Sequence, residues 1–221
     1  MSSFKLTSLA AAAIAAVASA ATNQVGINPD TRMFVDPEGR SVIFHGHNVV
    51  YKVDPYIPSE GAFDPENSLN DEDIANLVKW GTNFVRLGVM WEGVERSEGV
   101  YDDAYLTKVE ALINKLGEAG IYTLVDAHQD VLARMNCGEG MPDFYAKQIV
   151  AEDNYCISET ADKILAPIMN HFHLCESIKS YGFREDSNGD PLIEDCQTKN
   201  FGFYYATKES FNLWGALFDN K

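Results

Sequence analysis

Tyr122-Thr123-Leu124-Val125-Asp126-Ala127-His128-Gln129-Asp130 reads as a strand with an apolar start and a polar end, opening into a loop. Side chains alternate faces along a strand, so Tyr122, Leu124, Asp126, His128 and Asp130 share one side while Ile121, Thr123 and Val125 take the other. Three ionisable groups therefore converge where the strand ends. Asn83 to Trp91 repeats the plan: Val85, Leu87 and Val89 lie on one face, and Phe84, Arg86, Gly88 and Met90 on the other. An unpaired guanidinium inside a strand is costly, so Arg86 calls for carboxylates or a polar site at the same depth.

Working outward, Asn70 is a cap for a helix with Ile74, Leu77 and Val78 as its apolar stripe and Gly81 as its stop. A longer helix starts at Asp102, carries Tyr105, Val109, Leu112, Ile113 and Leu116 at helical spacing, and ends at Gly120. Further upstream, Met33-Phe34-Val35 and Ser41 to Phe44 flank the turn Asp36-Pro37-Glu38-Gly39 as a small hairpin. Its second arm continues through Gly46, Asn48 and Val50 as the first long strand. Strand, helix, strand, helix, strand is the signature of an α/β fold with a parallel sheet and crossover helices. Sites in such sheets lie at the carboxyl ends of strands, where Asp126, His128 and Asp130 fall.

Residues 131–200 form a long, loop-rich insertion that walls a pocket. Asp186-Ser187-Asn188-Gly189-Asp190 within it is an acidic solvated turn, since Pro191 and Gln197 stand where a calcium loop needs Gly and Glu. Phe203 to Phe218 is expected to be the next helix.

The chain has 221 residues, 46% hydrophobic and 23% charged, which fits one globular domain. Lys5, the apolar run Leu9 to Ala18 and Ala18-Ser19-Ala20 make residues 1–20 a secretory signal peptide, too short and alanine-rich for a stable membrane span, with residues 21–221 as the mature domain. A net charge of −16 disfavours nucleic acid or an anionic membrane surface as partner. The 4 cysteines, Cys137, Cys156, Cys175 and Cys196, suggest two disulfides in a secreted or lumenal chain. Three connectivities are open, and the local pairing of 137 with 156 and 175 with 196 is favoured.

Several motifs in order carry a family resemblance. Gly46-His47-Asn48-Val49-Val50-Tyr51-Lys52, the run Asn83 to Glu95, Asp126 to Asp130, Cys137-Gly138-Glu139-Gly140 and Pro142-Asp143 resemble glycoside hydrolase family 5, and within it the endoglycoceramidase branch, over residues 33–145. The resemblance implies an eight-stranded β/α (TIM) barrel and hydrolysis of a β-glycosidic bond with retention, by two glutamates about 5 to 5.5 Å apart. Its acid/base would stand in Asn-Glu-Pro after a fourth strand. No Asn-Glu-Pro occurs in the sequence, and three strands cannot close a barrel of eight. The expected fold is therefore the N-terminal part of the barrel, its first three strands only, truncated before closure, and inactive alone. By resemblance Arg86 sits beneath the nucleophile, His128 lines the sugar next to the scissile bond, Asp126, Asp130 and Lys52 bond sugar hydroxyls, and Trp91 offers an apolar face. The implied partner is a glycolipid or other β-glucoside, including a steryl glucoside, with no cofactor.

Two rivals stand beside it. His45-Gly46-His47 with Asp126, His128 and Asp130 offers ligand types for a metal-dependent barrel hydrolase, although strand parity turns His45 and His47 toward the helix layer. A chain that keeps sugar-contacting residues without the glutamate pair could instead be a carbohydrate or glycolipid binder.

Overall fold

The structure is a computed structural model that describes residues 25–152, 155–156, 164, 167 and 175–221, so the expected leader at residues 1–20 lies outside the described residues. Its strands are β1 (Gly26–Ile27), β2 (Phe34–Val35), β3 (Gly46–Val49), β4 (Phe84–Gly88), β5 (Glu95–Ser97), β6 (Val100–Tyr101) and β7 (Tyr122–Asp126). The described α-helices are α1 (Asp71–Lys79), α2 (Trp91–Val94), α3 (Asp103–Glu118), α4 (Asp143–Glu152), α5 (Ile193–Cys196) and α6 (Lys208–Phe218). β3, β4 and β7 form a parallel sheet in that order, with α1 and α3 on its crossovers. This is the expected α/β arrangement, and among the described residues no fourth strand pairs with β7 and no barrel closes.

The register sets Asn48, Arg86 and Leu124 side by side, and Gly88 opposite Asp126. Val85 and Leu87 turn the other way and are buried against Leu77, Val109, Leu112 and Leu116 of the two crossover helices. Burying each such aliphatic side chain contributes roughly 2 kcal/mol. β3 and β4 approach closely because position 46 has no side chain: a Cβ there would lie 1.8 Å from the Phe84 carbonyl oxygen. Asn70 caps α1 by accepting from the Glu72 and Asp73 amides, while the Asp73 carboxylate accepts the Asn70 amide, a complete capping box. Asp102 likewise accepts the Tyr105 amide at the start of α3.

Several expectations are corrected. Val78 is not part of the α1 stripe, since it is 47% exposed while Ile74 and Leu77 carry the contact. The hairpin around residues 36–39 is short, with the bridge Val35 to Ser41 and the Val42 amide bonded to the Phe34 carbonyl, and β2 also pairs with β1. The helix expected from Phe203 is broken: residues Phe201–Ala206 are 3-10, and Thr207 starts α6 by accepting the Ser210 amide with its hydroxyl. The Asp186–Asp190 turn is not wholly solvated, because Asp190 is buried at 2% exposure.

The disulfides are Cys137–Cys196 and Cys156–Cys175, not the local pairs. Loop-closure entropy rises only slowly with length, so a separation of 59 residues is little worse than one of 19. Packing decides instead: Cys137 shares a buried cluster with Val131, Ile178 and Tyr204, and Cys196 packs against it. A second cluster, with Leu132, Met141, Ala146, Ile149, Leu213 and Ala216, joins α4 to α6.

Candidate functional site

At the carboxyl ends of β4 and β7 the polar residues of the sheet's inner face meet. Arg86 Nη2 lies 2.6 Å from Asp126 Oδ2, which supplies the carboxylate that this guanidinium requires. The imidazole of His128 sits between two carboxylates, Nδ1 at 2.9 Å from Asp126 Oδ2 and Nε2 at 3.1 Å from Asp130 Oδ2. Its Nδ1 is also 3.4 Å from Arg86 Nη2. Lys52, reaching in from the loop after β3, bonds Asp130 and stands 2.7 Å from Glu139 Oε1. Alternation along β7 and its extension thus brings Asp126, His128 and Asp130 onto one line of contacts, with Arg86 and Lys52 at its two ends.

The electrostatics follow from depth. Burial pulls the Lys52 ammonium down, but its bonds to Asp130 and Glu139 outweigh this and hold it above the usual lysine value. Burial raises the Asp130 carboxyl, and Lys52 and His128 overcome that and hold it below the usual value. Glu139 shares the same ammonium yet goes the other way, because burial dominates there and Lys52 offsets it only in part. Exposure explains the difference: the Asp130 side chain is 30% exposed and that of Glu139 only 9%.

Backbone geometry fixes Glu139 beside Asp130. The Asp130 amide donates to the Glu139 carbonyl at 3.1 Å and the Glu139 amide to the Asp130 carbonyl at 2.8 Å, closing the loop between them. Within that loop Val131 and Leu132 are fully buried with φ of 52° and 71°, a backbone region that branched residues seldom adopt. Gly140 follows at φ 115°, and a Cβ there would meet the His128 carbonyl oxygen at 2.5 Å. The loop can therefore lie flat against His128 only with glycine at this position.

Trp91 is not tied to this cluster: its indole Nε1 donates to Glu95 Oε2 at 2.7 Å and its ring centroid lies 5.2 Å from that of Tyr145. His45 and His47 are exposed, and the contact of His47 is to Thr82 Oγ1 at 3.4 Å. Among the described residues one group has the donor atoms to hold a metal, His128, Asp130 and Glu139, with those atoms within 4.8 Å of one another. Its centre fits a cation poorly, because the Lys52 ammonium already bonds both carboxylates. Sequence reasoning did not single out Glu139 or Glu92 as site residues. Glu92 is buried and binds the Gly140 amide at 2.6 Å; the one signal for it was a carboxylate directly after the end of an apolar strand.

What the geometry offers is a row of charged and polar side chains that presents several hydrogen-bond donors and acceptors at fixed spacing, suited to a polyhydroxylated ligand. Comparison with known proteins gives the family. The Cellulase family (glycosyl hydrolase family 5) matches residues 35–173. An endoglycoceramidase of Hydra vulgaris is 31% identical over 196 residues, 89% of this chain and 34% of that protein. A glucosylceramidase of Aspergillus fumigatus is 34% identical over 131 residues, 51% of this chain and 17% of that protein. Among solved structures, endo-glycoceramidase II from Rhodococcus sp. with a five-membered iminocyclitol has a TM-score of 0.42 and 31% identity, covering 56% of this chain and 27% of that one. The chain thus spans about a third of the length of the Hydra relative. With a match over more than half of its residues, this chain belongs to glycosyl hydrolase family 5.

Proposed function

We propose that this chain is the sugar-binding first part of a secreted retaining β-glycosidase that hydrolyses the bond between a glycolipid's sugar and its lipid, with ceramide as the lipid and a sterol as the alternative. The observation that carries the reading is the continuous row Arg86, Asp126, His128, Asp130, Lys52 and Glu139 at the carboxyl ends of the parallel strands. Carboxylates and an ammonium at this spacing bond vicinal hydroxyls from both sides of a sugar ring. The names of the endoglycoceramidase and glucosylceramidase relatives support a glycolipid. The two disulfides support an oxidising compartment, and among the described residues no helix is long and apolar enough to cross a membrane.

Hydrolysis needs a carboxyl free to attack and another to protonate the leaving oxygen. Glu139 is engaged by Lys52, and Glu92 by the Gly140 amide and the Tyr56 hydroxyl, and we assign both to holding the site rather than to the chemistry. The 221-residue polypeptide alone is therefore expected to bind methyl β-D-glucoside, followed by NMR titration, and to show no turnover of a fluorogenic β-glucoside. Turnover by the pure chain refutes the inactivity, and absence of any sugar binding refutes the site. Binding without turnover, together with native messenger that ends at codon 221, favours the reading as a carbohydrate binder.

A further inference from the structure

Glu92 lies in α2, the short helix that follows β4, and is only 8% exposed, an expensive place for a carboxylate. Its contacts account for it. Oε1 accepts from the Gly140 amide at 2.6 Å, while the Glu92 amide donates to the Gly140 carbonyl at 3.0 Å, so the two residues grip each other at two points. Oε2 accepts the Tyr56 phenol at 3.1 Å, and the Tyr56 carbonyl accepts in turn from the Tyr105 hydroxyl at 3.0 Å. Tyr56 belongs to the same loop as Lys52, and Gly140 adjoins Glu139. Three loops, one from the end of each parallel strand, therefore meet on a single carboxylate.

We infer that Glu92 is a positioning residue, whose two oxygens set the distance between Lys52 on one loop and the Asp130–Glu139 pair on another, and so the shape of the sugar site. The inference rests on the sugar-binding reading of that site, but the clamp itself stands on separate bonds. A carboxylate is suited to this place because it accepts at both oxygens and brings no donor to oppose the Gly140 amide or the Tyr56 hydroxyl. Without it, the Lys52 ion pairs and the bond from the Glu92 amide to Gly140 remain, but the carboxylate link between Tyr56 and the Gly140 amide is lost while a ligand competes for the same charges.

The test compares the full chain with its Glu92→Ala, Glu92→Gln and Tyr56→Phe variants, using methyl β-D-glucoside affinity, hydrogen exchange at the Gly140 amide and the ring nitrogen shifts of His128 as readouts. Glu92→Ala is expected to weaken the sugar roughly tenfold, to expose the Gly140 amide to exchange and to move the His128 ring signals. Glu92→Gln, which keeps an oxygen for Gly140, restores most of the affinity, and Tyr56→Phe falls between. Unchanged affinity in Glu92→Ala overturns the inference. Should the parent chain bind no glucoside, the sugar reading fails by itself and the exchange and ring signals decide the clamp: unmoved in Glu92→Ala and Tyr56→Phe alike, they overturn it. If Glu92→Ala does not fold, Tyr56→Phe decides: weaker glucoside binding and moved His128 ring signals support the inference, and parent-like values overturn it.

Discussion

Lys52 decides what the carboxylates around it can bind. With the ammonium in place, Asp130 and Glu139 share one positive charge that this chain itself supplies. Replace it by a neutral side chain of similar length, Lys52→Met, and the His128, Asp130 and Glu139 donor atoms are left within 4.8 Å of one another around an uncompensated negative centre. The variant is expected to acquire zinc binding measurable by calorimetry, at least tenfold tighter than the parent's, and to lose affinity for methyl β-D-glucoside. A parent chain that already binds zinc at this centre returns the metal-hydrolase reading to the front. At this scale the sequence was uneven. Asp126, His128 and Asp130 were legible because a period of two places them on one face without knowledge of anything distant. Glu139 and Glu92 were not, because their partners, Lys52 and Gly140, are brought to them only by the packing of separate loops.

Elements were legible where their ends are chemically marked. The capping box at Asn70 is local in sequence and local in space, so α1 begins where the residues say. Asn70→Ala removes the acceptor of two amides and is expected to cost about 1 kcal/mol, read as a lowered midpoint in urea without a change in slope. A midpoint within error of the parent's would mean that α1 is held by Ile74 and Leu77 packing alone. Where two local signals compete, pattern reading failed. The apolar spacing from Phe203 onward favours one long helix, but the Thr207 hydroxyl accepts the Ser210 amide and starts a new helix there, leaving Phe201–Ala206 as 3-10 turns. Val78 fails for a simpler reason, since three residues of a stripe were expected and only two, Ile74 and Leu77, are buried.

For the whole molecule, the insertion carries an internal ionic contact, between α4 and the Asp186–Asp190 turn, with a pH dependence of its own. Lys147 lies 3.1 Å from Asp190 Oδ1 and 3.3 Å from Asp143 Oδ2. Burial, and next the neighbouring Asp143 carboxyl, push Asp190 up from 3.8 to about 6, with Lys147 opposing. Nearby Asp186 is held low chiefly by the backbone amides of its own turn, with Lys147 and Arg134 adding to the effect. Because the folded chain binds the Asp190 proton more tightly than the unfolded chain does, this group adds stability as pH falls from about 6 toward 3.8, and that stability is lost as pH rises through about 6. Asp190→Asn is expected to flatten stability across that interval and to raise it near neutrality by roughly 2 kcal/mol, measured by denaturation with the disulfides intact. A pH profile identical to the parent's contradicts the assignment. None of this could be read in the sequence, where Asp190 resembles any acidic turn residue. The three-stranded sheet and its crossovers were readable because each strand's pattern is local, whereas the insertion's arrangement depends on which cysteines meet.

The Cys137–Cys196 bridge has a consequence for how the protein comes into being. Cys137 stands in the loop that Asp130 and Glu139 close, so the crosslink ties the rim of the Lys52–Asp130–Glu139 cluster to a segment made later in the chain. On the proposed sugar-binding reading, competence would be a product of maturation: a chain whose Cys137–Cys196 bridge is reduced is expected to bind methyl β-D-glucoside more weakly than the oxidised chain.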